Sequence, residues 1–177
     1  MRHGDKGYTL IELVVAVAII VLISGAASIA IFQVMKGTKT NNSHIDATCQ
    51  VQNAGYWISR DAGMAQSIYT ENLTSPAFLV FYWTQFDDEN VKIYHTTNYT
   101  FEGLDGGIGK LKRTHWSSAG ANEQTLIATH IYYVPTDPDD TSKAEYQAPL
   151  LTLRLTSIVE DAIETREYHI KNRPNVF

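Results

Sequence analysis

From Leu13 to Phe32 the chain runs for 20 residues without a charge, in Val, Ile, Leu and Ala with few interruptions. At about 1.5 Å per helical residue, such a run spans the roughly 30 Å hydrocarbon core of a bilayer. In lipid every backbone polar group must be satisfied within the segment, so the run is predicted to be helical. The rest of the 177 residues is polar and rich in aromatic residues, enough for one modest globular domain. The formal net charge of -5 argues against a general nucleic-acid-binding surface. Cys49 is the only cysteine, which excludes an intramolecular disulfide and a multi-thiolate metal site. It is expected to behave as a small, half-buried apolar residue.

Glu12 stands at the start of this apolar run. On insertion scales a carboxylate deep in a membrane costs roughly 2.5–3.5 kcal/mol. One account is local. Thr9-Leu10-Ile11-Glu12 fits a capping box, with Thr9 as helix N-cap and Glu12 bonding back to the Thr9 amide, worth roughly 1 kcal/mol. The charge also suits the positive end of the helix. An ordinary signal peptide fits Arg2, Lys6 and a small-residue cleavage site at Ser24-Gly25-Ala26. A plain anchor fits as well, but Lys36 and Lys39 balance Arg2 and Lys6 and leave it without orientation. Neither of these explains the carboxylate.

The stretch KGYTLIELVVAVAIIVLI resembles the N-terminal signature of type IV prepilins and of the pseudopilins of type II secretion systems. The shared features are a short charged leader ending in Gly7, an aromatic at Tyr8, then Thr9-Leu10-Ile11-Glu12 and a long apolar helix. Phenylalanine is commoner where Tyr8 stands. The resemblance implies cleavage between Gly7 and Tyr8 by a prepilin peptidase, with N-methylation of Tyr8. It further implies that Glu12 pairs with the cationic N-terminal amine of a neighbouring subunit in a filament. The implied partners are other pilin or pseudopilin subunits and an inner-membrane assembly platform. The chain would pass once through the inner membrane with its head outside the cytoplasm before entering the filament. Ser24/Ser28 and Ala26/Ala30 form small-xxx-small pairs suited to close helix contact. No proline occurs from Tyr8 to Thr74, so a fairly straight segment is expected.

Beyond Phe32, residues 33–43 are weakly helical. Ala47, Val51, Ala54, Ile58, Ala62, Ala65 and Ile68 then recur at steps of three or four, one apolar stripe of an amphipathic helix. Asp46, Gln50, Asn53, Arg60 and Asp61 are expected on its other faces. The helix is predicted to end near Asn72, with Ser75-Pro76 as its stop. Strands are expected at AFLVFYWTQF, VKIYHT, NYTFEG, KLKRTHW, TLIATHIYYV, PLLTLRLTSIV and ETREYHIK, six or seven in antiparallel arrangement. The fold class is therefore α+β, a long N-terminal helix packed on a C-terminal antiparallel sheet. The expected division is leader 1–7, transmembrane and assembly helix 8–32, amphipathic helix 33–74 and β-rich head 75–177. YWISRDAGMAQSI, followed by LVFYW and VKIYHTTNYTF, is loosely similar to the J-type minor pseudopilins. The lack of paired cysteines separates the chain from the major pilins whose C-terminal loop is closed by a disulfide.

Other candidate sites are weaker. Trp57, Trp83 and Trp116 are expected in core or helix–sheet contacts. His3, His44, His95, His115, His130 and His169 are scattered without a His-x-x-x-His pair, and no nucleophile elbow is present. No catalytic residues, metal site or cofactor are expected, and a structural role rather than an enzymatic one. GLDGGIG at 103–109 reads as a turn, since it lacks nucleotide-loop spacing. The acidic loop at 136–140 lacks the alternating ligands of a calcium loop and reads as solvated. Asp87, Asp88 and Glu89 read likewise. Three glycosylation-like triplets, at Asn41, Asn72 and Asn98, carry no weight beside a prokaryotic N-terminal signature.

Overall fold

The computed structural model describes residues 9–71, 73, 76–120, 122–136 and 140–172. The chain divides into two compact units, Met1–Asn42 and Ser43–Phe177. Helix α1 is continuous from Leu10 to Met64. Among the described residues eight strands follow: β1 (Ser67–Tyr69), β2 (Ala77–Phe86), β3 (Lys92–Asp105), β4 (Ile108–Ser117), β5 (Asn122–Tyr132), β6 (Lys143–Gln147), β7 (Leu150–Val159) and β8 (Ala162–Lys171). They form one antiparallel sheet in the order β1-β2-β3-β4-β5-β7-β6, with β8 on β7. The architecture is α+β, as expected.

In the first unit the described residues are all helical after Thr9, and their side chains are exposed. Side-chain hydroxyls in this part bond back to their own helix: Ser28 Oγ donates to the Ser24 carbonyl at 2.8 Å and Thr38 Oγ1 to that of Val34 at 2.9 Å. By length and composition α1 contains a stretch able to cross a membrane, none of it buried.

In the second unit the helical stripe lies against the sheet. Ala47, Val51, Ala54, Ile58 and Ala62 are fully buried, as are Leu79, Phe81, Tyr99, Leu111, Leu151 and Leu153 across from them. Small residues let the helix approach closely. A Cβ on Gly55 would collide with the Tyr168 ring, whose hydroxyl donates to the Val51 carbonyl at 3.2 Å.

The helix stops at Met64, about two turns short of Asn72, which itself lies outside the described residues. The cause is capture by the sheet edge. The Gln66 N–H donates to the Tyr82 carbonyl at 2.9 Å, and Gln66 Oε1 accepts from the Thr84 N–H at 3.2 Å and its hydroxyl at 3.0 Å. Residues 67–69 then pair with β2. Ala65 and Ile68 stay buried as the periodicity predicts, because both the helix and the turn that replaces it point them inward.

Two of the predicted strands, VKIYHT and NYTFEG, are one strand, β3, since nothing in Thr96-Thr97-Asn98 breaks extended backbone. The short strands β1 and β6 were not among the expected ones. Gly106 and Gly107, at φ 56° and 84°, make the two-residue turn joining β3 to β4, the conformation that two-residue hairpins favour. In the preceding hairpin Asp87 Oδ1 accepts from the amides of Glu89 (3.0 Å) and Val91 (2.7 Å), and Asn90 takes φ 61°.

Three residues differ from expectation. Cys49 is exposed rather than half-buried, because it lies off the stripe. Trp116 is about half exposed on the far face of the sheet, whereas Trp57 and Trp83 pack at the core margin. Asp61, assigned to a polar face, is completely buried. Its carboxylate takes a two-pronged contact from Arg113, Nε to Oδ2 at 2.6 Å and Nη2 to Oδ1 at 3.1 Å, and the Tyr99 hydroxyl donates to Oδ2 at 2.7 Å. Trp57 lies beside this pair, its ring 4.7 Å from the Arg60 guanidinium and 5.3 Å from that of Arg113. Burial, then the negative charge of Asp61, raises the Tyr99 phenol above its ordinary range and keeps it a donor.

Two further helix side chains fasten α1 to β5. Between Leu111 and its neighbours the β4–β5 register shifts, so Ile127 and Thr129 have no partner residue on β4. Asn53 Nδ2 donates to the Ile127 carbonyl at 2.6 Å, and Gln50 Oε1 accepts the Thr129 N–H at 2.7 Å. Buried backbone groups need partners, and here the helix supplies them.

Candidate functional site

At the beginning of α1, Thr9 and Glu12 form reciprocal hydrogen bonds. The Thr9 N–H and the Thr9 hydroxyl both donate to Glu12 Oε2 at 2.9 Å, and the Glu12 N–H reaches Thr9 Oγ1 at 3.4 Å. The Leu13 amide donates to the Thr9 carbonyl at 3.3 Å and begins the helical ladder. The sequence folds this way because a threonine just ahead of Leu10 and a glutamate three residues on satisfy amides that the helix leaves open. Both Thr9 donors converge on Oε2, while Oε1 accepts no hydrogen bond from the described residues. Gly7 and Tyr8 lie outside the described residues. Glu12 is therefore ordered by its own helix yet keeps acceptor capacity, at the head of an exposed apolar surface.

The head offers less in the way of reaction chemistry. No group of three or more His, Cys, Asp or Glu side chains able to hold a metal occurs among the described residues. Asp137 and Asp139 of the acidic loop lie outside them, and Asp140 is 3.8 Å from Arg154. An open groove of about 370 Å³ beside Phe78, Tyr133 and Ala144 includes one charged side chain, Lys143, which pairs with Glu145 at 3.2 Å.

The strand register does assemble two of the scattered histidines. Trp83, His95 and His115 form a near-parallel cluster with ring centroids 5.1–5.4 Å apart. Thr97 Oγ1 is 2.9 Å from His115 Nδ1, while both His95 ring nitrogens are buried without a hydrogen-bond partner among the described residues. Burial holds both imidazoles below their usual range, and the Arg113 and His95 charges add to this at His115. Sequence spacing gave no sign of this pair, since it depends on how β2, β3 and β4 align.

A family model for the prokaryotic N-terminal methylation motif matches residues 2–28. This match supports the type IV prepilin and pseudopilin resemblance of the N-terminus. The match contains Thr9, Glu12 and most of the apolar run, and it does not extend into the head. No curated protein and no solved structure matches the chain. The prepilin motif points to a structural protein rather than an enzyme. It also points to processing by a prepilin peptidase and to assembly with other pilin subunits. The apolar helix that follows suits membrane anchoring before assembly.

Proposed function

We propose that the chain is a minor pilin or pseudopilin, cut between Gly7 and Tyr8, methylated on the new Tyr8 amine and assembled into a pilus-like or secretion filament. Glu12 is the observation that carries this reading. Left alone in lipid, its charge is costly. Its Thr9 contacts offset part of that cost, and the methylated amine of an adjacent subunit would offset more by approaching the open Oε1. Pairing a poorly solvated charge then favours polymerisation, and losing one partner leaves the other exposed to the full penalty. Capping and pairing are compatible because they use different oxygens. Before assembly the apolar helix anchors the subunit in the inner membrane with the head outside the cytoplasm, where the assembly platform would take it up. The loose likeness of the head supports a J-type minor subunit of a type II secretion system.

Two measurements test this. N-terminal sequencing of the mature protein should begin at methylated Tyr8, whereas a start at Ala27 would mean an ordinary signal peptide and an anchored or secreted binding domain. Glu12→Ala should be processed normally but enter filaments poorly in the presence of wild-type partners. Undiminished incorporation would remove the pairing argument.

A further inference from the structure

The outer face of the sheet, turned away from α1, is read by following register across strands. One row runs Ser67, Tyr82, Thr96, Trp116, Asn122 from β1 to β5. The adjacent row runs Tyr69, Val80, Asn98, Thr114, Gln124. On the opposite side Thr84 pairs with Tyr94, and Phe86 with Lys92. Tyr69, Tyr82, Phe86, Tyr94 and Trp116 are each 44–58% exposed. Taking roughly 100 Å² of open surface for each half-exposed aromatic ring, the face exposes on the order of 500 Å² of aromatic surface, within the range of functional patches.

We propose that this face binds a neutral, extended polysaccharide of β-linked hexoses. Tyr82 and Trp116 lie two strands apart in one row, about 9.6 Å, which is close to the length of a disaccharide. Alternate sugars could therefore lay their C–H faces on the two rings. Thr96 sits between the rings, with Ser67 and Asn122 at the ends of the row, so its hydrogen-bonding side chains are all hydroxyls and an amide. Tyr69 meets Tyr82 edge to face at 5.5 Å and steadies that ring. No carboxylate stands on these rows. Of the cations beside them, Lys92 lies over the Tyr94 ring at 5.4 Å and Lys112 is paired with Glu102 at 3.0 Å.

The charges beyond the patch favour a neutral ligand over an anionic one. Asp87, Asp88 and Glu89 follow Phe86 in the hairpin, and the whole chain carries a net charge of -5. The aromatic rings follow one line across the strands, Tyr82 and Trp116 with Thr96 between them, which suits a narrow extended chain. This binding does not depend on how the N-terminus is processed.

The test is retention of the full-length protein, held in a zwitterionic, sugar-free detergent, on swollen cellulose and on chitin, with cellohexaose as soluble competitor. Wild type should be retained on at least one matrix and released by the competitor. Trp116→Ala and Tyr82→Ala should each lower the bound fraction roughly tenfold, about the worth of one good ring contact. Tyr56→Ala, at an exposed aromatic on α1, should leave retention unchanged. Circular dichroism of each variant establishes that the fold is kept. Failure of wild type to bind either matrix would overturn the proposal, as would equal retention of Trp116→Ala. Loss of self-association in Trp116→Ala without polysaccharide binding would also overturn it, and would mark the face as a contact between heads.

Discussion

The Asp61–Arg113 pair is the sharpest place to test how the head is held together. Asp61 is fully buried on α1, and Arg113 on β4 is 3% exposed. Asp61→Ala leaves a guanidinium in the core without its carboxylate, beside the Trp57 ring and the Tyr99 hydroxyl, and leaves that hydroxyl without its acceptor. Removing one partner of a buried pair costs about 3–5 kcal/mol, against about 5–15 kcal/mol for the stability of a whole domain. With a urea dependence of about 2 kcal/mol per molar, the unfolding midpoint should fall by roughly 2 M. Urea titration followed by tryptophan fluorescence measures this, since Trp57 touches the pair. The double variant Asp61→Leu with Arg113→Met removes both charges and should recover most of the loss, because buried pairs often stabilise no better than apolar replacements. If Asp61→Ala costs less than about 1 kcal/mol, or if the double variant is no better than the single one, the uncompensated charge is not the cause.

Two other perturbations address the core margin. His95 and His115 both have folded pKa values held below the unfolded value, so the unfolded chain takes up protons first as the solution is acidified. Stability should be level above about pH 6.5 and decline as pH falls from there toward the folded values; His95→Leu with His115→Leu should flatten that decline in unfolding curves taken across pH. Gly55→Leu places a side chain where the Tyr168 ring lies and should destabilise the head by about 1–3 kcal/mol. Thermal melting would show it, and Tyr168→Ala in the same chain should restore part of the loss by making room.

How much of this was legible beforehand depends on the range of the interactions. The stripe from Ala47 to Ala62 could be read because a helix repeats every few residues, and burial follows that period wherever one side meets a sheet. A turn within 103–109 could be read because a tight turn needs backbone conformations that glycine adopts easily, whereas the strand pairing narrows it to Gly106 and Gly107 and leaves Gly103 and Gly109 in β3 and β4. The Thr9–Glu12 contact spans three positions and rests on the same local geometry. By contrast, Asp61 looked like any polar residue on an amphipathic helix. Arg113, 52 positions later, and Tyr99, 38 positions later, make its burial tolerable.

Residues near in sequence thus determined the helix, its apolar run, the carboxylate at its start and six of the eight described strands. The end of the helix at Met64, the histidine pair and the row from Ser67 to Asn122 were decided by the tertiary structure. Each rests on strand register. Register aligns residues tens of positions apart, and a slip by one residue would turn every side chain to the opposite face. Such an alignment is a property of the packed sheet as a whole, so no short stretch of the sequence contains it.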